Sequence, residues 1–183
     1  MRISTRAART ARRRLLGAAV AITALALAGC APDPGGGGGG STNLATCPTA
    51  AAGQVRVAVV VDATAFGAVS VPSVVCVVVS QGASGIAALN ARAVRTGLPA
   101  PRFNASGLLC AIDGAPVAPA CGQVGPNGYE YWSYWSGGAS WQYAASGPAS
   151  RQMQDGSVEG WRFTTGGTNQ PPAAPSSFAA LVS

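Results

Sequence analysis

The sequence predicts a small α+β domain, mainly β-sheet with one helix packed across it and stapled by two disulfides. Three observations point to it. Two valine-rich runs precede a single amphipathic stretch, several strand-like runs separated by glycine-rich turns follow that stretch, and four cysteines remain once an export segment is set aside. Gln54 to Asp62 (QVRVAVVVD) and Val69 to Ser80 (VSVPSVVCVVVS) are almost continuously apolar, as strands buried on both faces are. Ser84 to Thr96 reads as the helix: Ser84 caps it, Ile86, Leu89, Ala93 and Val94 form its apolar stripe, and Gly97 with Pro99 ends it. Arg92 and Arg95 sit near its C-terminus, where the helix dipole favours cations. Gly107 to Asp113 (GLLCAID) is the next strand. Tyr129 to Trp135 (YEYWSYW), Trp141 to Ala144 and Val158 to Phe163 complete the set.

The segment before this domain reads as a secretion signal at residues 1–29. Arg2, Arg6, Arg9, Arg12, Arg13 and Arg14 supply a basic start, an apolar core runs from Leu15 to Leu27, and small residues precede a cysteine. The core falls short of the roughly 20 apolar residues that span a bilayer. Leu27-Ala28-Gly29-Cys30 matches a lipobox, in which the thiol of the first mature residue takes a diacylglyceryl group before cleavage. The expectation is an exported lipoprotein, anchored to the outer face of the cytoplasmic membrane through lipidated Cys30. Both the general secretory and the twin-arginine routes fit the signal. Residues 30–46, with Pro32, Pro34 and the run Gly35 to Gly40, form a flexible tether with a reach of roughly 20 to 24 Å. The domain proper spans 47–165, and the Pro/Ala-rich stretch 166–183 is expected to be a disordered tail.

Removing the signal changes the charge argument. The chain carries 12 basic and 6 acidic residues, a formal +6. Six of the arginines lie in the signal, so the mature part holds six against six and is close to neutral. Nucleic acid is excluded as a partner, because no retained basic patch faces phosphate. Lipidation of Cys30 leaves Cys47, Cys76, Cys110 and Cys121, an even set in an exported chain. Three pairings are possible. The turn chemistry of Ile112-Asp113-Gly114-Ala115-Pro116 favours Cys110 with Cys121, leaving Cys47 with Cys76. No metal site is expected, since the chain has no histidine and no C-x-x-C pair.

Catalysis is not expected either. A nucleophile needs a base and histidine is absent; the carboxylates Asp62, Asp155 and Glu159 read as turn acids. Glu130, inside the aromatic strand, pairs with Arg151 or Arg162 or meets a ligand's polar group in this reading. The hexaglycine run is not a phosphate loop, because no strand precedes it and no helix follows. No cofactor is called for.

The aromatic residues carry what functional signal there is. All four tryptophans and all four tyrosines fall between positions 129 and 161. Strand alternation puts Tyr129, Tyr131 and Trp135 on one face and Trp132 and Tyr134 on the other. One face belongs to the core, and the other presents an aromatic stripe able to stack a planar ligand, a sugar or a partner's side chain.

The succession Ser84-Gly85-Ile86-Ala87-Ala88-Leu89, Leu109-Cys110-Ala111-Ile112-Asp113-Gly114, Tyr131-Trp132-Ser133-Tyr134-Trp135 and Gly156-Ser157-Val158-Glu159-Gly160-Trp161-Arg162-Phe163 resembles actinobacterial exported proteins associated with energy-coupling-factor vitamin transporters. More distantly it is similar to the transcobalamin C-terminal-like domain, over about residues 55 to 163. Ser136-Gly137-Gly138 stands where that pattern commonly has Y-V-N-G. The resemblance implies a β-grasp-like domain that binds a small soluble ligand, vitamin-like or corrinoid, as an accessory to a transporter component. It further implies Trp132, Tyr134, Trp135, Trp141 and Tyr143 as the ligand-facing residues. The alternative is a non-catalytic cell-envelope module that docks a protein partner through its aromatic strands.

Overall fold

The computed structural model describes residues 43–69, 71–167 and 169–182. The signal at 1–29, Cys30 and the greater part of the tether lie outside the described residues. The predicted strands and helix are all present: β1 Gln54–Asp62, β2 Ser73–Ser80, α1 Gly85–Thr96, β4 Leu109–Ala111, β6 Gly128–Ser136, β7 Gln142–Tyr143 and β8 Ser157–Thr165. Four short elements join them, namely a 3-10 turn at Thr64–Phe66, β3 Arg102–Phe103, β5 Gln123–Gly125 and α2 Phe178–Leu181. β2 starts later than the valine run does because Pro72 has no N–H to give a ladder.

The main sheet runs β2-β1-β8-β6-β5, with β7 also on β6 and β3-β4 forming a separate pair. β1 lies antiparallel to β2 and parallel to β8, and β8 lies antiparallel to β6. A hairpin, a crossing helix and a last strand returning beside the first is the β-grasp arrangement. The fold is therefore α+β, mainly sheet with one main helix, and it carries the disulfides Cys47–Cys76 and Cys110–Cys121. The first closes a separation of 29 residues and the second one of 11. In the chain-entropy account each restricts the unfolded chain by about 3 kcal/mol.

Both faces of β1 are buried, as its unbroken valines require. Val57, Val59 and Val61 face α1 with Val75, Val77, Ala88, Leu89, Trp132, Tyr134 and Trp161. Ala58 and Val60 face the other way, with Val158, Leu181, Phe178 and Trp141. α1 is capped as expected: Ser84 Oγ accepts from Ala87 N–H at 3.3 Å, and Gly97 closes the helix at φ 69°. Val94, expected in the apolar stripe, is instead 84% exposed. Arg92 takes the inward position; its guanidinium is buried and donates to both carboxylate oxygens of Asp113, at 2.5 and 2.8 Å, and to Ser73 Oγ at 2.7 Å. The helix C-terminus thus gains a cross-link to the start of β2 and to the turn at Asp113 rather than a solvated charge.

Two expected boundaries move. The domain starts by Asn43 rather than Cys47: Leu44 C=O accepts from Cys76 N–H at 2.8 Å, and Leu44 packs against the core. The tail expected to be disordered from 166 is instead an ordered strap over 169–182. Arg162 donates to Pro171 C=O at 2.6 Å, Ala173 N–H donates to Asp62 Oδ2 at 2.9 Å, and Trp141 Nε1 donates to Ala174 C=O at 2.8 Å. Leu181 closes the second apolar cluster. The physical reason is that the sheet's second face is apolar and has no helix of α1's kind to cover it.

Candidate functional site

β6 leaves the sheet with its outer edge only partly paired. β5 pairs with it from Gly128 to Glu130 and β7 at Trp135 and Ser136, so no strand pairs with the middle of β6 on that side. Beside this gap lies a cleft of about 300 Å³. Its floor is aromatic, with Trp132, Tyr134 and Trp161; Phe103 and Leu108 wall one side, and the loop 144–148 walls the other. None of the residues lining it carries a charge.

The floor is fixed by ring packing. Tyr134 and Trp161 lie 5.1 Å apart between centroids, and Trp132 meets Phe163 edge-on at 5.4 Å. Trp132 Nε1 donates to Ala115 C=O at 3.1 Å, which ties the strand to the turn inside the Cys110–Cys121 loop. Trp161 is fully buried, and its indole N–H has no hydrogen-bond partner.

Beneath the floor sits the one acid that the core encloses on this face. Glu159, expected as a solvated turn acid, is fully buried. Its side chain projects to the same side of β8 as Trp161 and Phe163, two and four residues on. Tyr134 Oη donates to Glu159 Oε2, and Arg151 Nε donates to Glu159 Oε1 at 2.7 Å. Burial pushes the Glu159 carboxyl above its ordinary range, against the pull of Arg151 and Tyr134. Burial and the neighbouring carboxylate raise the Tyr134 hydroxyl, so it stays protonated and acts as a donor. Arg151 follows directly on the segment that forms the outer wall, so this ion pair holds the wall to the floor. Glu130, by contrast, accepts from Gln123 Nε2 at 3.0 Å, and neither Arg151 nor Arg162 reaches it in a bond of this kind. Asp62 does serve its turn, through Thr64, and is also fully buried beside Arg162 at 3.7 Å.

The five residues expected to face a ligand do not form one surface. Trp132, Tyr134 and Tyr143 border the cleft. Trp135 does not: it is buried, edge-on to Tyr143 at 5.2 Å, with Nε1 donating to Ser133 Oγ at 3.0 Å. Trp141 packs on the opposite side of the sheet under the strap. Gly160 makes room for it there, since a Cβ at that position would lie 2.7 Å from the Trp141 ring. Tyr131, Trp161 and Phe103 complete the cleft and were not among the expected residues. Alternation on β6 and the late tryptophan on β8 are the signals that would have found Trp161; the contribution of Phe103 depends on the β3-β4 pair, which no periodicity announces. Among the described residues no group of three or more Cys, Asp or Glu is placed to hold a metal ion, and no helix is long and apolar enough to cross a membrane.

Comparison with known proteins adds two findings and one blank. No curated protein matches the chain. A solved structure described as haptocorrin in complex with Cbi matches with a TM-score of 0.47 and 15% identity, over 62% of this chain and 25% of that one, so the chain spans about a quarter of its length. Residues 124–182 match the SCO2322-like domain, a span that runs from β5 through β6, β7 and β8 to the end of the strap.

Proposed function

We propose that the mature chain is a lipid-anchored, extracytoplasmic binding module that holds a small, neutral, planar ligand in the cleft beside β6. The observation that carries this is the cleft itself, an aromatic floor of Trp132, Tyr134 and Trp161 with no charged residue in its lining. Ligand sites of this kind are predominantly apolar with a few fixed polar groups. Its volume, about 300 Å³, lies at the lower end of the roughly 300 to 1,000 Å³ typical of small-molecule sites. It suits a group of one or two fused rings, or the edge of a larger ring such as a corrinoid. The lipobox and the glycine tether support the anchor, and handing the ligand to a transporter component in the same membrane is the use proposed for it. The module acts without catalysis, because the one enclosed carboxylate at the cleft is already engaged by Arg151 and Tyr134.

A second reading, a protein-docking module, is favoured by one observation: Tyr129, Tyr143 and Val124 stand 50%, 49% and 81% exposed near the same edge. A titration separates the two. Ring-bearing vitamins and corrinoids are added to the mature chain carrying Cys30→Ala, with tryptophan fluorescence as readout. At least one is expected to quench saturably, and Tyr143→Ala is expected to weaken that binding about tenfold through lost ring contact. A flat response across the panel would sink the ligand reading and leave docking ahead.

A further inference from the structure

Besides the hydroxyls of Tyr131, Tyr134, Tyr143 and Ser146 in its lining, the cleft borders backbone groups of β6 that define what the ligand must carry. In β6, Tyr134 C=O accepts from Ala144 N–H at 3.0 Å on the outer side. Peptide groups of alternate residues point the same way along a strand, so those of Glu130, Trp132, Tyr134 and Ser136 all face outward. Glu130 has its partner in Gln123 of β5, and Ser136 has Gln142 of β7. Continuing either register brings no strand opposite Trp132. β5 ends its pairing at Glu130, and after Ala144 the chain leaves β6 to form the cleft's outer wall. Trp132 therefore offers one N–H and one C=O, side by side, at the edge that borders the cleft.

A backbone pair of this kind wants its partners. Leaving such groups without them in a water-poor site costs on the order of 1 to 3 kcal/mol each. The floor holds a further unsatisfied donor, the indole N–H of Trp161, which is fully buried and without a partner. The lining supplies no charge to attract an ion. Aromatic walls call for a flat ring, and a strand edge calls for a donor and an acceptor on neighbouring atoms.

We infer that the cleft recognises a planar heterocycle through a lactam or cyclic amide edge, which takes the place of a missing strand opposite Trp132: the ring C=O accepts from Trp132 N–H and the ring N–H donates to Trp132 C=O. This rests on the ligand-binding reading above and names its substrate class. It sets the specificity-determining group on the main chain, where no side-chain inventory would locate it. Charged rings are disfavoured, because nothing in the lining would compensate their desolvation.

Three probes of nearly equal size test the inference on the mature Cys30→Ala chain: 2-quinolone, N-methyl-2-quinolone and naphthalene. Tryptophan quenching is expected to show 2-quinolone binding about tenfold more tightly than either of the others, the effect of losing one or both edge bonds. In ¹⁵N-correlated spectra the Trp132 backbone amide and the Trp161 indole N–H are expected to shift with 2-quinolone, whereas the Trp141 indole, on the far side of the sheet, stays in place. Equal binding of all three probes would overturn the amide-edge inference and leave the cleft as an apolar site. Shifts confined to residues away from β6 would overturn it as well. If none of the three binds and the vitamin panel is also silent, the ligand-binding reading falls and this inference falls with it.

Discussion

Glu159 is a carboxylate with no exposed surface, set in the sheet between Val59 and Ser136, and two donors hold it there. A buried ion pair of this kind is a costly element whose removal is costlier still. Its pH behaviour has a definite sign. Burial raises the folded-state pKa above the ordinary 4.5, so the contribution of Glu159 is fully present below that value and is lost as pH rises through the raised one. Asp155, four residues earlier, behaves oppositely. Hydrogen bonds from the exposed Arg56, at 3.0 Å from Nε and 2.9 Å from the backbone N–H, lower its carboxyl to about 2, so its contribution is present above 3.8 and is lost as pH falls toward 2. Urea unfolding as a function of pH checks both. The margin of wild type over Glu159→Gln is expected to narrow as pH climbs from about 4 to 8, and the margin over Asp155→Asn to narrow as pH drops from about 4 to 2. A Glu159 margin that widens with pH would mean that Arg151 and Tyr134 outweigh burial. At this scale the sequence was half legible. Alternation placed Trp132 and Tyr134 together, but nothing near Glu159 in the chain marks it as buried, because its partners Tyr134 and Arg151 arrive from β6 and from a loop.

Among the elements, those built from local pattern were readable and those built from distant contacts were not. Valine runs and alternating aromatics announce β1, β2, β6 and β8 because burial on a sheet selects those side chains directly. The strap over 169–182 has the composition of a linker, Pro171, Pro172, Ala173, Ala174 and Pro175, and its order comes from groups far along the chain: Asp62, Trp141 and Arg162 each bond its backbone. Proline suits this role, since it lowers the entropy of the unfolded segment and leaves carbonyls free to accept. The strap's last anchor is Leu181, which is 8% exposed and packs with Ala58, Val60 and Val158. Leu181→Ala is expected to lower unfolding free energy by about 2 kcal/mol, the low end for a buried leucine because the site lies at the molecule's rim. Ala179→Ser, two residues earlier and exposed, is expected to change it by less than about 0.5 kcal/mol. Equal and negligible effects would return 169–182 to the status of a disordered tail.

For the whole molecule, the two covers of the sheet divide the labour. α1 closes one face and the strap the other, while the first disulfide ties the segment at Leu44 to the outer edge of β2. What remains open is the gap along β6, on the edge away from β2. The β-grasp order was legible from element sequence and family resemblance together; the cleft was not, because its walls come from loops and from a strand pairing that stops short. A near-neutral mature chain has no electrostatic means of staying at an anionic membrane, so its location would depend on acylation of Cys30. Two acyl chains give stable attachment where one is marginal. Cell fractionation with intact-mass spectrometry puts this to the test. The wild-type chain is expected in the membrane fraction, beginning at Cys30 with added acyl mass, and Cys30→Ala is expected to move to the soluble fraction while keeping the Cys47–Cys76 and Cys110–Cys121 bonds. A Cys30→Ala chain still held in the membrane would refute the anchor and shift attention to the exposed Tyr129, Tyr143 and Val124 as the means of attachment.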